Sequence, residues 1–141
     1  MQQEIPDGPP NIFPALLYRD AHAALDWLER AFGFERLMVV PGPQGTVLHA
    51  EMGLGPGILM LATSKPDRGW VSPRDLPGLH QTVCVRIDDV DGHYARAKAA
   101  GAEIFYDIKD TDYSREYSAR DLEGHLWTFG NYQPSRRPQT A

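Results

Sequence analysis

Asp20–Glu35, DAHAALDWLERAFGFE, and Asp88–Glu103, DDVDGHYARAKAAGAE, are two copies of one layout. Each opens on aspartate, runs through an amphipathic stretch, stops at a glycine and resumes at a glutamate. In the first copy Ala21, Ala24, Leu25, Leu28, Ala31 and Phe32 recur at helical spacing, while Glu29 and Arg30 fall outward. Asp20 is a good N-cap and Gly33 a good C-terminal stop. The second copy predicts a helix over 90–100. Apolar runs read as strands around the first helix at Ile12–Arg19, Arg36–Val40, Thr46–Met52 and Ile58–Ala62. Around the second they fall at Thr82–Ile87, Ile104–Ile108, Glu116–Arg120 and Leu126–Phe129. Turn-forming clusters at Pro41–Gly45 and Gly53–Gly57 separate the strands of the first copy. The chain therefore repeats a βαβββ unit, and a shift of 68 or 69 residues lays Gly33 on Gly101, Glu51 on Arg120 and Gly55 on Gly124.

A length of 141 residues, 42% hydrophobic and 23% charged, suits one domain. It divides into an N-terminus 1–10, a domain 11–133 and a tail 134–141, with both ends read as flexible. Within the domain, modules 11–63 and 79–133 are joined by a linker, 64–78, which carries three prolines and no periodicity. A net charge of −5 argues against nucleic acid as a partner. No apolar stretch approaches the ~20 residues of a membrane span, and no secretory leader pattern opens the chain. Cys84 is the only cysteine, so no intrachain disulfide can form and a cytoplasmic protein is expected.

Several residues read as structural. A lone cysteine such as Cys84 is most often core. Trp127, Phe129 and Trp27 belong to the core, His125 to a backbone-bonded or solvated turn, and His22 and His93, near the helix starts, to the surface. Gly53–Gly57 contains Pro56 and no Lys-Ser/Thr, so it is a turn and not a phosphate loop. No serine lies in a nucleophile elbow.

The two βαβββ modules, the helix ending in Ala100-Gly101-Ala102-Glu103 and the closing segment 118–129, SARDLEGHLWTF, resemble the vicinal oxygen chelate superfamily. This is the glyoxalase, bleomycin-resistance and extradiol-dioxygenase group. Leu122 departs from it, since the family's turn usually has proline there. The resemblance implies an α+β fold: an eight-stranded, cup-like sheet around a cavity, helices on its outer side, often in a dimer. Alternation along the strands then turns Thr82, Cys84, Arg86, Glu116, Ser118 and Arg120 into the cup, and Val83, Val85, Ile87, Tyr117 and Ala119 towards the helix.

Metal-dependent members hold a divalent ion with one His, Gln or Glu from each of four strands. The resemblance puts Phe13, Glu51, Thr82 and Thr128 at those positions, and only Glu51 is a competent ligand. No cofactor is therefore expected. A slipped register leaves one alternative metal set, His49, Glu51 and Gln81. Without a metal the cup reads as a binding site, with Phe13, Trp70, Tyr106 and Tyr113 as stacking surfaces and His49, Glu51, Thr82, Arg86, Glu116 and Arg120 as polar anchors. The expected function is metal-independent binding of a small aromatic or cationic molecule by a homodimer. The alternative is a metal-dependent lyase, isomerase or dioxygenase with Glu51 as ligand or general base.

Overall fold

The apolar stripe of the first helix is wider than one sheet can cover, and its width decides how the two modules pack. The computed structural model describes residues 8–135. Helix α1, Ala21–Phe32, starts where the Asp20 carboxylate accepts from the Ala23 N–H, and stops at Gly33, whose φ of 81° favours glycine. It buries Ala21, Ala24, Leu25, Trp27, Leu28, Ala31 and Phe32. Part of that stripe covers the first sheet, formed by β1 (Ala15–Tyr18), β2 (Glu35–Pro41), β3 (Val47–Leu54) and β4 (Gly57–Thr63) in the order β1-β4-β3-β2.

The rest of the stripe meets the second module. There helix α2 (Val90–Ala99) accompanies β5 (Val83–Arg86), β6 (Glu103–Asp110), β7 (Arg115–Arg120) and β8 (Leu126–Gly130), ordered β5-β8-β7-β6. In each sheet the first strand runs parallel to the last and the other pairs are antiparallel. The eight strands of the expected α+β fold thus lie in two four-stranded sheets. The Phe32 ring lies 4.7 Å from Phe129 and 5.4 Å from Trp127, and Phe34 lies 5.5 Å from Trp127. Trp127, Phe129, Tyr117 and Ala119 are fully buried on the helix side of the second sheet and share one core with the α1 stripe. Both helices therefore sit between the sheets, and the opposite face of each sheet is left open.

Polar groups pin this junction. The last carbonyls of α1 have no partner within the helix, and α2 supplies donors. Arg96 donates to the carbonyls of Arg30 and Glu29 at 3.0 and 2.9 Å. His93 Nε2–H donates to the Phe32 carbonyl at 2.8 Å, so Nδ1 accepts from the Tyr117 hydroxyl at 2.6 Å. His93 is thus a half-buried wedge between the modules, where its place near a helix start suggested the surface. His22 is exposed.

A buried turn makes the second junction. Asp121, 5% exposed, accepts from the Tyr18 hydroxyl at 2.6 Å, the Trp127 indole at 3.1 Å, and the Glu123 and His125 N–H groups. Glu123 accepts from the Arg19 and Asp20 N–H groups, at the start of α1, and from Ser72 on the linker. Burial, with Asp121 alongside, pushes the Tyr18 phenol well above its ordinary pKa, so it stays a donor. The linker itself forms two short 3-10 turns, Pro66–Arg68 and Pro73–Asp75. Most of the ends expected to be flexible lies outside the described residues. Among the described residues no helix is long and apolar enough to cross a membrane.

Candidate functional site

Strand pairing sets the open faces out in rows. On the first sheet Ala15, Met60, Glu51 and Met38 lie side by side across β1, β4, β3 and β2. On the second, Cys84, Thr128, Ser118 and Tyr106 do the same across β5, β8, β7 and β6. Ala15 and Cys84 each stand five residues before a helix N-cap, Asp20 and Asp89, so the rows correspond. Glu51 is therefore matched by Ser118 and not by Arg120, because the second module is one residue shorter between its first two matched positions (Cys84 to Tyr106 against Ala15 to Met38) and one shorter again to the third (Tyr106 to Ser118 against Met38 to Glu51). By the same register the counterpart of Thr128 is Met60. Matched by row, the positions that the resemblance assigns to a metal would be Phe13, Met60, Thr82 and Thr128, a ring, a thioether and two hydroxyls.

The first wall is largely apolar. Leu37 lies against Gly53, and Leu37 and Met38 are 51% and 47% exposed. Its polar pair is His49 Nε2–H donating to Glu51 Oε2 at 2.8 Å. The two residues alternate on β3, which puts both on the open face.

The second wall is polar. The Tyr106 hydroxyl donates to one oxygen of Glu116 and Ser114 donates to the other. Burial, and then Glu116, push the Tyr106 phenol up to about 12, so it keeps its proton and its bond. The Lys109 ammonium lies 4.1 Å over the Tyr106 ring, and Arg120 lies 4.7 Å over Phe105. Ser118 donates to the Trp127 carbonyl and lies 3.2 Å from the Thr128 hydroxyl. Arg86 donates to Asp88 at 2.9 Å. Cys84 is exposed on this wall, where a lone cysteine was expected in the core. Its neighbours Val83 and Val85 take the core side, and alternation leaves Cys84 the other. A cavity of about 200 Å³ opens here, lined by Cys84, Arg86, Ser114, Glu116, Thr128 and Gly130 among others.

The remaining candidates are scattered. Phe13 and Thr82 are exposed and precede β1 and β5 instead of lying within them. Trp70, 49% exposed on the linker, has Lys65 and Arg68 at 5.5 and 5.9 Å from its ring centre. Tyr113, 72% exposed, lies on the turn between β6 and β7. Gln81 lines a cleft of about 250 Å³ with His80, Leu17 and His125, and His125 Nε2–H donates to the Leu17 carbonyl at 2.9 Å. Of the alternative metal set, only His49 and Glu51 come together. Among the described residues no group of three or more His, Cys, Asp or Glu is placed to hold a metal ion. Met60, Gly130 and Ser114 were missed from the sequence, although alternation along 58–63 and 126–130 puts Met60 and Gly130 on the same faces as the chosen residues.

Two βαβββ modules with paired helices and open, residue-lined sheet faces define a paired-module α+β protein. The chain belongs to the Glyoxalase/Bleomycin resistance protein/Dioxygenase superfamily, which it matches over residues 13–129. It is 32% identical to an uncharacterized protein of Mycobacterium bovis over 131 residues, 90% of this chain and 85% of that one. Among solved structures it is similar to TioX from Micromonospora sp. ML1, at 38% identity and a TM-score of 0.70, covering 88% of this chain and 99% of TioX. It shares its fold with FosX, a fosfomycin resistance protein from Listeria monocytogenes solved with Mn(II) and sulfate, at 15% identity and a TM-score of 0.65 over 88% of this chain and 93% of that one.

Proposed function

We propose that this protein binds a small aromatic or cationic molecule without a metal, in a cup closed between the first module of one copy and the second module of another, in the cytoplasm. The observation that carries this reading is the row structure of the open faces. A divalent ion needs several N, O or thiolate donors converging at about 2.0–2.3 Å, and Phe13, Met60, Thr82 and Thr128 offer no strong one. What those faces do offer is apolar surface with a few placed polar groups, the composition of a small-molecule site.

The second copy is supported by exposure. Leu37, Met38 and Phe105 lie about half open on the two faces, and a closed cup would cover them. Within one chain the helices occupy the space between the sheets, so the open faces need another chain to meet. Trp70 and Phe13 then supply stacking surfaces at the rim, with Thr82, Arg86, Tyr106, Tyr113 and Arg120 from the second module and His49 and Glu51 from the first.

A thermal-shift panel on the dimer tests the reading. Aromatic antibiotics are expected to raise the melting temperature, and Ni²⁺, Zn²⁺, Mn²⁺ or a chelator to leave it unchanged. Quenching of Trp70 fluorescence by a hit, absent in Trp70→Phe, would place the ring at the ligand. A stoichiometric divalent ion on the purified protein, lost in Glu51→Gln, would overturn the metal-free reading. A second, metal-free enzymatic reading, distinct from the metal-dependent alternative, is favoured by the His49–Glu51 pair, in which an oriented imidazole is a general base in waiting. Turnover abolished by both His49→Gln and Glu51→Gln, in protein without metal, would establish that instead.

A further inference from the structure

The cavity on the second wall carries an inference that rests on the binding reading and narrows it. Across this end of the sheet Arg86, Gly130 and Glu116 lie in a row on β5, β8 and β7. Gly130 leaves a gap between the two charges, and a Cβ there would come within 2.9 Å of the Glu116 Cβ and 3.0 Å of the Arg115 carbonyl. The gap is the floor of the cavity of about 200 Å³, walled by Cys84, Ser114, Thr128 and Tyr132. That volume holds a head group and not a whole drug-sized molecule.

The free valences of the two charges define what fits. Arg86 spends a hydrogen bond on Asp88 and keeps other guanidinium N–H groups. Each oxygen of Glu116 accepts one bond, from Tyr106 or Ser114, and keeps a further lone pair. A ligand carboxylate would satisfy Arg86 and face Glu116. An amidinium would satisfy Glu116 and face Arg86. A neutral planar group with an acceptor and a donor side by side satisfies both, and mispaired polar groups in such a slot are penalised strongly. We propose that the slot over Gly130 is a head-group subsite for an uncharged carboxamide, lactam or ureide carried on an aromatic ring.

Benzamide, benzoate and benzamidine share one ring and differ in this group. Titrated into the ¹⁵N-labelled full chain, benzamide is expected to shift the Gly130 and Glu116 amides and to bind about tenfold more tightly than either charged analogue. Arg86→Gln should move the preference to benzamidine, and Glu116→Gln to benzoate. The spectra report whether each variant is folded, and either variant alone suffices. Equal binding of the three, an order that the variants leave unchanged, or silence at Gly130 would overturn the subsite. Shifts at Glu51 and Met60 with silence at Gly130 would refute the subsite and leave the cup standing, whereas silence at every one of these amides would count against both.

Discussion

Removing the Asp121 carboxylate should unfasten the turn that ties the second module to the first. Three of its donors, the Tyr18 hydroxyl, the Trp127 indole N–H and the Glu123 N–H, belong to residues at most 4% exposed. Orphaning a buried donor costs about 1–3 kcal/mol, so Asp121→Ala should lose about 3–9 kcal/mol of the ~5–15 kcal/mol a domain has. The His125 N–H sits on a half-buried residue, where water can replace the lost acceptor, and adds little. Tyr18→Phe removes one donor and leaves the carboxylate three, so it should cost about 1 kcal/mol. In the double variant the orphaned hydroxyl no longer exists. The pair should therefore lose about 2–4 kcal/mol less than the sum of the single changes. Urea unfolding followed by tryptophan fluorescence measures each value, compared at constant m. Losses that add to within ~0.5 kcal/mol, or an Asp121→Ala loss below ~1 kcal/mol, would refute the clamp.

Acid should loosen the helix junction. Burial depresses the His93 pKa, Arg96 adds to the effect, and the Phe32 carbonyl and Asp89 oppose it. With the folded value below the unfolded one, stability is complete above about pH 6.5 and falls as the pH drops through it. His93→Gln should flatten that part of the urea-midpoint profile, and equal slopes in the two proteins would count against the assignment. At Gly92 two local effects compete. Alanine gains about 1 kcal/mol of helix propensity, but its Cβ would collide with the Asp89 carboxylate that caps α2, a cap worth ~1 kcal/mol. Gly92→Ala should thus be near neutral by thermal unfolding, yet stabilising by about 1 kcal/mol in an Asp89→Ala background. A large gain in the capped protein would show that the cap does not matter.

Local rules made the elements legible. Asp20 and Gly33 bound α1 as their types suggest, and all eight strands fall where apolar runs lie between turn residues. Long-range register was harder to read. One residue fewer before β6 and one fewer again in the β6–β7 hairpin slide Glu51 onto Ser118, which no glycine alignment could show. The burial of His93 was not legible, because helical position says nothing about a second helix packed across it. Cys84 was legible twice, as a core type and as a cup position, and alternation proved the better guide. The buried roles of Asp121 and Glu123 depend on donors about a hundred residues away, Tyr18, Arg19 and Asp20. Nothing within the turn itself announces those partners.

The packing of both helices between the sheets has a genetic consequence. The apolar wall and the polar wall of one chain would belong to different cups, so in the dimer proposed above each cup draws one wall from each chain. A lesion in the apolar wall, such as Glu51→Gln, and one in the polar wall, such as Glu116→Gln, should each weaken binding of the native ligand in both cups when present in both chains. Co-expressed, the two defective alleles would yield mixed dimers with one doubly damaged cup and one wild-type cup. Binding would be restored by complementation, without either gene being repaired.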